Sequence, residues 1–207
     1  MAPAVSGIVL AGGAGRRIGA DKAVLEFGGR TLLEITVERL LEITDDVVVA
    51  CGRGRRAGWP ELSVPLVVDG VDNRGPLAGL AAGLNAISHE AAVVVACDMP
   101  FLNPALLKHI ADRLDTHDAL VPEVGGREHP LHGAYSKRCL PAVEVLLARG
   151  GSMRDLLDAV GTSVMPEDEV RAIDPEALSC FNINHAEDLE RARSLWGDGQ
   201  REVATAG

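Results

Sequence analysis

Apolar runs alternate with amphipathic segments along most of the chain, and the alternation predicts the order of elements. Residues 7–10 form a short wholly apolar run bounded by glycine, the signature of a buried strand. Apolar positions then recur at helical spacing across 32–41. Further strands are predicted at 46–50 (DVVVA), 66–68, 91–97 (AAVVVAC) and 119–121, the third being the most strongly apolar in the chain. Between them lie helical segments at 76–87, rich in small residues with proline in its first turn, and at 104–114, where Asn103 ahead of Pro104 suits a cap. Beyond Pro122 the pattern is less regular. An added, antiparallel strand at 133–135, helices at 141–148 and 153–160, a closing helix at 186–196 and a frayed tail at 197–207 complete the reading.

Strands alternating with helices imply parallel β-α-β units with right-handed crossovers. The expected fold class is therefore α/β: a three-layer, Rossmann-like, mostly parallel sheet with helices on both faces. No repeat and no linker divides it, so residues 1–196 read as a single domain. Composition narrows the core. Of 207 residues, 47% are hydrophobic and only 3% aromatic, so aliphatic side chains must fill it, as suits a sheet buried on both faces. The net charge of −10 argues against nucleic acid or an anionic membrane as partner. No apolar stretch approaches a membrane span, and residues 1–6 lack the charged start of a signal peptide. The four cysteines (Cys51, Cys97, Cys139, Cys180) have no metal-ligand spacing. Buried or idle thiols in a reducing cytoplasm are the expectation.

In open α/β sheets ligands bind beyond the carboxyl ends of the strands, which directs attention to the loops starting at Ala11, Cys51, Asp69 and Asp98. The first reads LAGGAGRRIGADK over residues 10–22. Gly12, Gly13, Gly15 and Gly19 let backbone N–H groups approach a ligand, while Arg16, Arg17 and Lys22 add positive charge. Glycines and cations after a strand suit a polyphosphate. Two phosphate-binding patterns do not apply. Lys22 lies between Asp21 and Ala23, so there is no Gly-Lys-Ser/Thr; the glycine spacing from Gly13 is one residue too long for a dinucleotide fingerprint.

Asp98 follows the most apolar strand, where a carboxylate points into the ligand crevice and suits a hard cation such as Mg²⁺. The same residue ahead of Met99-Pro100 also reads as a turn former. Asp69 and Asp72 flank the third loop, where both also suit a turn, and residues 75–79 (GPLAG) open a helix whose small residues permit close approach. In the later half, His129 and His132 lack a third metal ligand at telling spacing, so a turn entering a strand is expected. Asn182 and Asn184 alternate and would face one side of a strand, although Asn184 equally suits a helix cap. Arg53, Arg55 and Arg56 read either as a solvated loop or as an attractor of a phosphorylated acceptor.

The pattern L-A-G-G-x-x-x-R-R-x-G-x-D-K, followed by GPLAG, Cys97-Asp98-Met99-Pro100 and Asn182-Ile183-Asn184 before Glu187-Asp188-Leu189, resembles the molybdenum cofactor guanylyltransferase family, known in bacteria as MobA. The resemblance covers nearly the whole chain and implies a nucleotidyltransferase-type fold. It implies an enzyme that moves GMP from GTP to the phosphate of molybdenum-molybdopterin with Mg²⁺, in contact with molybdopterin-carrying and molybdenum-enzyme proteins. By the same resemblance Leu10, Ala11, Gly12 and Gly13 hold the nucleotide, Lys22 binds phosphate, Asp69 lies near the nucleotide and Asp98 binds the metal. Arg17, Lys22 and Asp98 would carry the catalysis. Related cytidylyltransferases usually read L-A-A-G, so Gly13 favours guanine. Ala50 departs from the asparagine that the family often places at the end of the second strand, which keeps open a cytidylyltransferase, another acceptor, or a non-catalytic nucleotide-binding regulator.

Overall fold

A computed structural model describes residues 4–12, 21–68 and 75–205. In chain order the elements are β1 (Ser6–Leu10), β2 (Glu26–Phe27), β3 (Arg30–Thr31), α1 (Leu32–Leu41), β4 (Val47–Ala50), β5 (Leu66–Val67) and α2 (Gly75–Ala86). They continue with β6 (Ala91–Ala96), α3 (Pro104–Arg113), β7 (Ala119–Val124), β8 (Arg127–Glu128), β9 (His132–Ser136), α4 (Leu140–Arg149) and α5 (Met153–Ala159). The last are β10 (Thr162–Met165), α6 (Glu167–Ile173) and α7 (Ala186–Thr205). The main sheet runs β10-β7-β9-β6-β1-β4-β5, with β8 paired to β7. β1 is parallel to both β4 and β6, in the register Leu10 to Ala50 and Leu10 to Ala96. β9 lies antiparallel between β6 and β7, which bears out the added strand.

Strand alternation builds the three layers. Ile8 and Leu10 point to one face, with Val48, Ala50 and Val94, beneath Leu77, Leu80 and Leu84 of α2 and the apolar sides of α4 and α5. Val9 points to the other, with Val49, Val93 and Val95, beneath Leu33, Val37 and Leu40 of α1 and Leu107 and Ala111 of α3. α6 extends that second face, where Val170 packs with Met165, Leu106 and Ile110. The helices begin where local chemistry supplies caps. Thr31 and Glu34 form a reciprocal capping box on α1. Asn103 Oδ1 accepts from Ala105 N and Leu106 N at the start of α3.

Small residues set how close the layers come. A Cβ at Gly83 would meet Ile8 Cγ2 at 2.6 Å, and one at Gly79 would meet Leu10 Cδ2 at 3.0 Å, so the backbone of α2 lies directly against the side chains of β1. The GPLAG segment therefore serves tight helix-sheet packing. Ala50, 1% exposed, belongs to this same apolar layer and offers the crevice no polar group.

Three features depart from the sequence pattern. β10 and α6 were not legible: Thr162–Met165 is only partly buried at a sheet edge, and α6 is a short helix that opens on three acidic residues. The hairpin β2-β3 is made of two-residue strands, below the length at which alternation can be read. The closing helix continues to Thr205 rather than stopping at Trp196.

Gly133 gives the sharpest test of this packing. A Cβ there would lie 2.6 Å from Leu120 O, a main-chain atom of the neighbouring strand that cannot rotate aside. Gly133→Ala is expected to destabilise the fold by about 1–3 kcal/mol through overpacking, read as a lower urea midpoint at unchanged slope. A midpoint equal to the parent's would show that β7 and β9 are not packed so closely.

Candidate nucleotide site

The carboxyl ends of β1, β4, β5 and β6 lie along one edge of the sheet, because the four strands are mutually parallel. Asp98 follows β6 at this edge, and three segments far apart in sequence meet on it. Lys22 Nζ lies 2.7 Å from Asp98 Oδ2. Asn182 Nδ2 donates to Asp98 Oδ1 at 3.3 Å. Ile183 N donates to the Asp98 carbonyl at 3.0 Å. Lys22 Nζ also donates to Asn184 Oδ1 at 3.0 Å. With 20% and 15% of their side chains exposed, Lys22 and Asp98 form a pair that is shielded yet reachable.

Local sequence explains each arm. Lys22 sits at the start of a 3-10 turn, Lys22–Val24, whose cap is Asp21: Oδ1 of Asp21 accepts from Ala23 N at 3.2 Å. Asn182 and Asn184 flank Ile183, which is fully buried, and both side chains reach the same ion pair, as their alternation predicts. Asn184 therefore uses its side chain on Lys22, while the start of α7 is satisfied by Asp188, whose Oδ2 accepts from Asn184 N and His185 N. That carboxylate is held below its usual range by these bonds, against the cost of its burial.

The segment carrying the two asparagines is anchored from both ends. Phe27, Phe101, Phe181 and Trp196 gather around Ile183, Leu189 and Ala192, so α7 is pinned to α1 and the β2-β3 hairpin. The ring contacts are edge-on or tilted at 5.7–6.1 Å. On the other side His132 Nε2 lies 2.6 Å from Ser179 Oγ, which also accepts from Asn103 N, while Asp174 Oδ2 accepts from Ser179 N. His132 is thus a structural residue rather than a ligand. Among the described residues, no group of three or more His, Cys, Asp or Glu could hold a metal.

The loop after β4 supplies a contact that residue spacing does not reveal. Of its arginines, Arg55 donates to Trp59 O at 3.0 Å. Arg56 instead reaches back to Asp21 and to the carbonyl of Ala11. Ala11 N donates to Ala50 O at 2.9 Å and Cys97 N donates to Leu10 O at 3.2 Å, so Leu10 and Ala11 form a rigid floor from which exposed Gly12 leaves. Gly13, Arg16, Arg17, Asp69 and Asp72 lie outside the described residues. Cys97 borders the site, but burial pushes its thiol up to about 12, helped by Asp98 and Asp21, which leaves it inert as a nucleophile.

Hard oxygens of Asp98 and Asn184 converge on the Lys22 ammonium. One carboxylate with an amide oxygen, completed by phosphate and water oxygens, is a donor set that fits a divalent cation such as Mg²⁺. A floor of sheet backbone at the end of β1, with an acid after β6 and Lys22 brought against it, forms a crevice of the kind in which α/β proteins bind nucleotides. The chain belongs to the MobA-like NTP transferase family, whose domain its residues 7–164 match. It is 36% identical over 195 residues to a molybdenum cofactor guanylyltransferase of Desulfosudis oleivorans, covering 92% of this chain and 95% of that one. It is 36% identical over 200 residues to a probable molybdenum cofactor guanylyltransferase of Methanosarcina mazei, covering 89% and 88%. A solved molybdopterin-guanine dinucleotide biosynthesis protein A from Archaeoglobus fulgidus superposes with a TM-score of 0.82 at 28% identity, covering 94% of this chain and all of that one.

Burial holds the His132 imidazole down to about 4 from its usual 6.5. The unfolded chain then binds the extra proton between those values, so stability is complete above pH 6.5 and falls as the pH drops towards 4, by up to about 3 kcal/mol. His129 is also held low by burial and adds to the slope in the same sense. His132→Asn is expected to flatten the dependence of unfolding free energy on pH across this window. An unchanged slope in the variant would remove His132 from the account.

Proposed function

We propose that this chain transfers GMP from GTP to the terminal phosphate of molybdenum-molybdopterin, releasing pyrophosphate and forming the guanine dinucleotide form of the cofactor. The observation that carries the reading is the meeting of Lys22, Asp98 and Asn184 at the carboxyl ends of β1 and β6. The similarity to guanylyltransferases over nearly the full chain supports GTP and molybdopterin as the substrates.

In this reaction an oxygen of the acceptor phosphate attacks the α-phosphorus of GTP. The bond from that phosphorus to the β-phosphate oxygen breaks, and pyrophosphate carries the electron pair away. The nucleophile is already an anion, so no general base is needed, and no serine or cysteine nucleophile is called for. Catalysis then rests on positioning and electrostatics. Mg²⁺, when bound, neutralises charge on the phosphates. Asp98 and Asn184 would hold it. Lys22 would exchange the Asp98 carboxylate for phosphate oxygens, and Arg17 would add charge from the glycine-rich stretch. The backbone of Leu10, Ala11, Gly12 and Gly13 would cradle the nucleotide, with Asp69 beside it. Molybdopterin-carrying and molybdenum-enzyme proteins in the cytoplasm would deliver the acceptor and collect the product. Among the described residues no helix is long and apolar enough to cross a membrane.

The test is incubation of the protein with a molybdopterin-loaded carrier, Mg²⁺ and GTP, CTP or ATP in turn, with products read by mass. A guanine dinucleotide and pyrophosphate are expected with GTP alone. Comparable turnover with CTP would overturn the guanylyl assignment, and tight GTP binding without pyrophosphate release would favour a regulator. Asp98→Asn is expected to lower turnover by about 10²–10³-fold, with a melting temperature close to the parent's. A folded Asp98→Asn protein with near-normal rate would sink the metal-site reading.

A further inference from the structure

Arg56 leaves the loop after β4 and reaches the first loop at two points. Its Nε lies 2.9 Å from Asp21 Oδ2, and its Nη2 donates to the Ala11 carbonyl. The guanidinium carbon sits 4.8 Å from the centre of the Trp59 ring. Trp59, only 4% exposed, donates its indole N–H to the same Asp21 Oδ2 at 2.8 Å. Ala11 and Asp21 flank the glycine-rich stretch in the sequence, and Asp21 caps the turn that carries Lys22. One planar cation therefore ties the floor of the site to the base of its lysine.

We propose that Arg56, backed by Trp59, is a positioning residue for nucleotide binding. It fixes the separation of Ala11 and Asp21, which aims Lys22 Nζ at the Asp98 end of the crevice. It also neutralises Asp21, whose carboxylate otherwise stands beside the lysine that meets a triphosphate. Geometry favours this role over that of a direct phosphate ligand. The guanidinium already pairs with a carboxylate, donates to a carbonyl and lies over an aromatic ring. A planar, delocalised cation can make all three contacts at once; the point charge of a lysine does not. The inference rests on the nucleotidyl-transfer reading and adds to it a residue on a different loop.

The experiment is titration of GTP, with Mg²⁺, into wild type, Arg56→Ala, Arg56→Lys, Asp21→Asn and the Arg56→Ala/Asp21→Asn pair, alongside thermal melts and steady-state kinetics. Lys22→Ala serves as the control for the site itself. Arg56→Ala is expected to weaken GTP binding by about tenfold, per mole of folded protein, and to raise the KM for GTP more than it lowers kcat. Arg56→Lys should not restore affinity. The double variant should bind no worse than Arg56→Ala alone, because both changes break one contact. Should Arg56→Ala fail to fold, Trp59→Phe, which keeps a ring but removes the N–H to Asp21, is expected to cost about threefold in affinity. Wild-type affinity in folded Arg56→Ala or Arg56→Lys, or full additivity in the double variant, would overturn the proposal. If wild type binds GTP and Lys22→Ala loses it, such a failure falls on Arg56 alone. If wild type binds no GTP, the reading of the site falls and the proposal with it.

Discussion

The Asp98 side chain is the point on which the arrangement of the site depends. A carboxylate at the mouth of a crevice is tolerated because its oxygens meet Lys22 and Asn182, and because Ile183 N takes the adjoining carbonyl. Those partners come from before and after β6 in the chain, so the contact joins the turn carrying Lys22 to the segment that leads into α7. Removing one partner would leave charge partly shielded from water, which costs more than the pair itself contributes. The same groups that hold the chain together here are those that would receive phosphate and metal.

Two very different packings sustain that contact. The aliphatic layers around β1 and β6 make a stiff platform, in which α2 approaches the sheet through Gly79 and Gly83. Of the few aromatic residues only Tyr135 joins those layers. All three phenylalanines gather with Trp196 of α7, where a few large rings hold the asparagine segment without a sheet. The other tryptophan, Trp59, lies under Arg56. Phenylalanine and tryptophan thus mark the two places where irregular backbone must be held still.

Charge is distributed with similar economy. The chain is strongly acidic, with a net charge of −10, yet the site it presents to anionic substrates contains paired cations. Lys22 is matched by Asp98 and Arg56 by Asp21. Pairing keeps each cation oriented, and orientation matters more than net attraction when two anions must be brought to one phosphorus. Cys97, a few atoms away, contributes no chemistry because burial keeps its thiol protonated.

The sequence by itself determined the α/β class, the order of most strands and helices and the antiparallel added strand, and it singled out Lys22 and Asp98 as candidates. Those features are legible because alternation, helical spacing and glycines after a strand are local consequences of backbone geometry. Local pattern also brought Asn182 and Asn184 to one side. It could not decide between cap and ligand for Asn184, because the competing partner, Lys22, is distant in sequence and near only in the fold. The edge strand β10, the helix α6 and the hairpin β2-β3 were hidden, being too short or too exposed to carry a period. Only the tertiary structure gave Arg56 its partners and His132 its bond to Ser179. A long side chain selects its contact by distance across the crossovers of the sheet, and those distances exist only once the layers have packed.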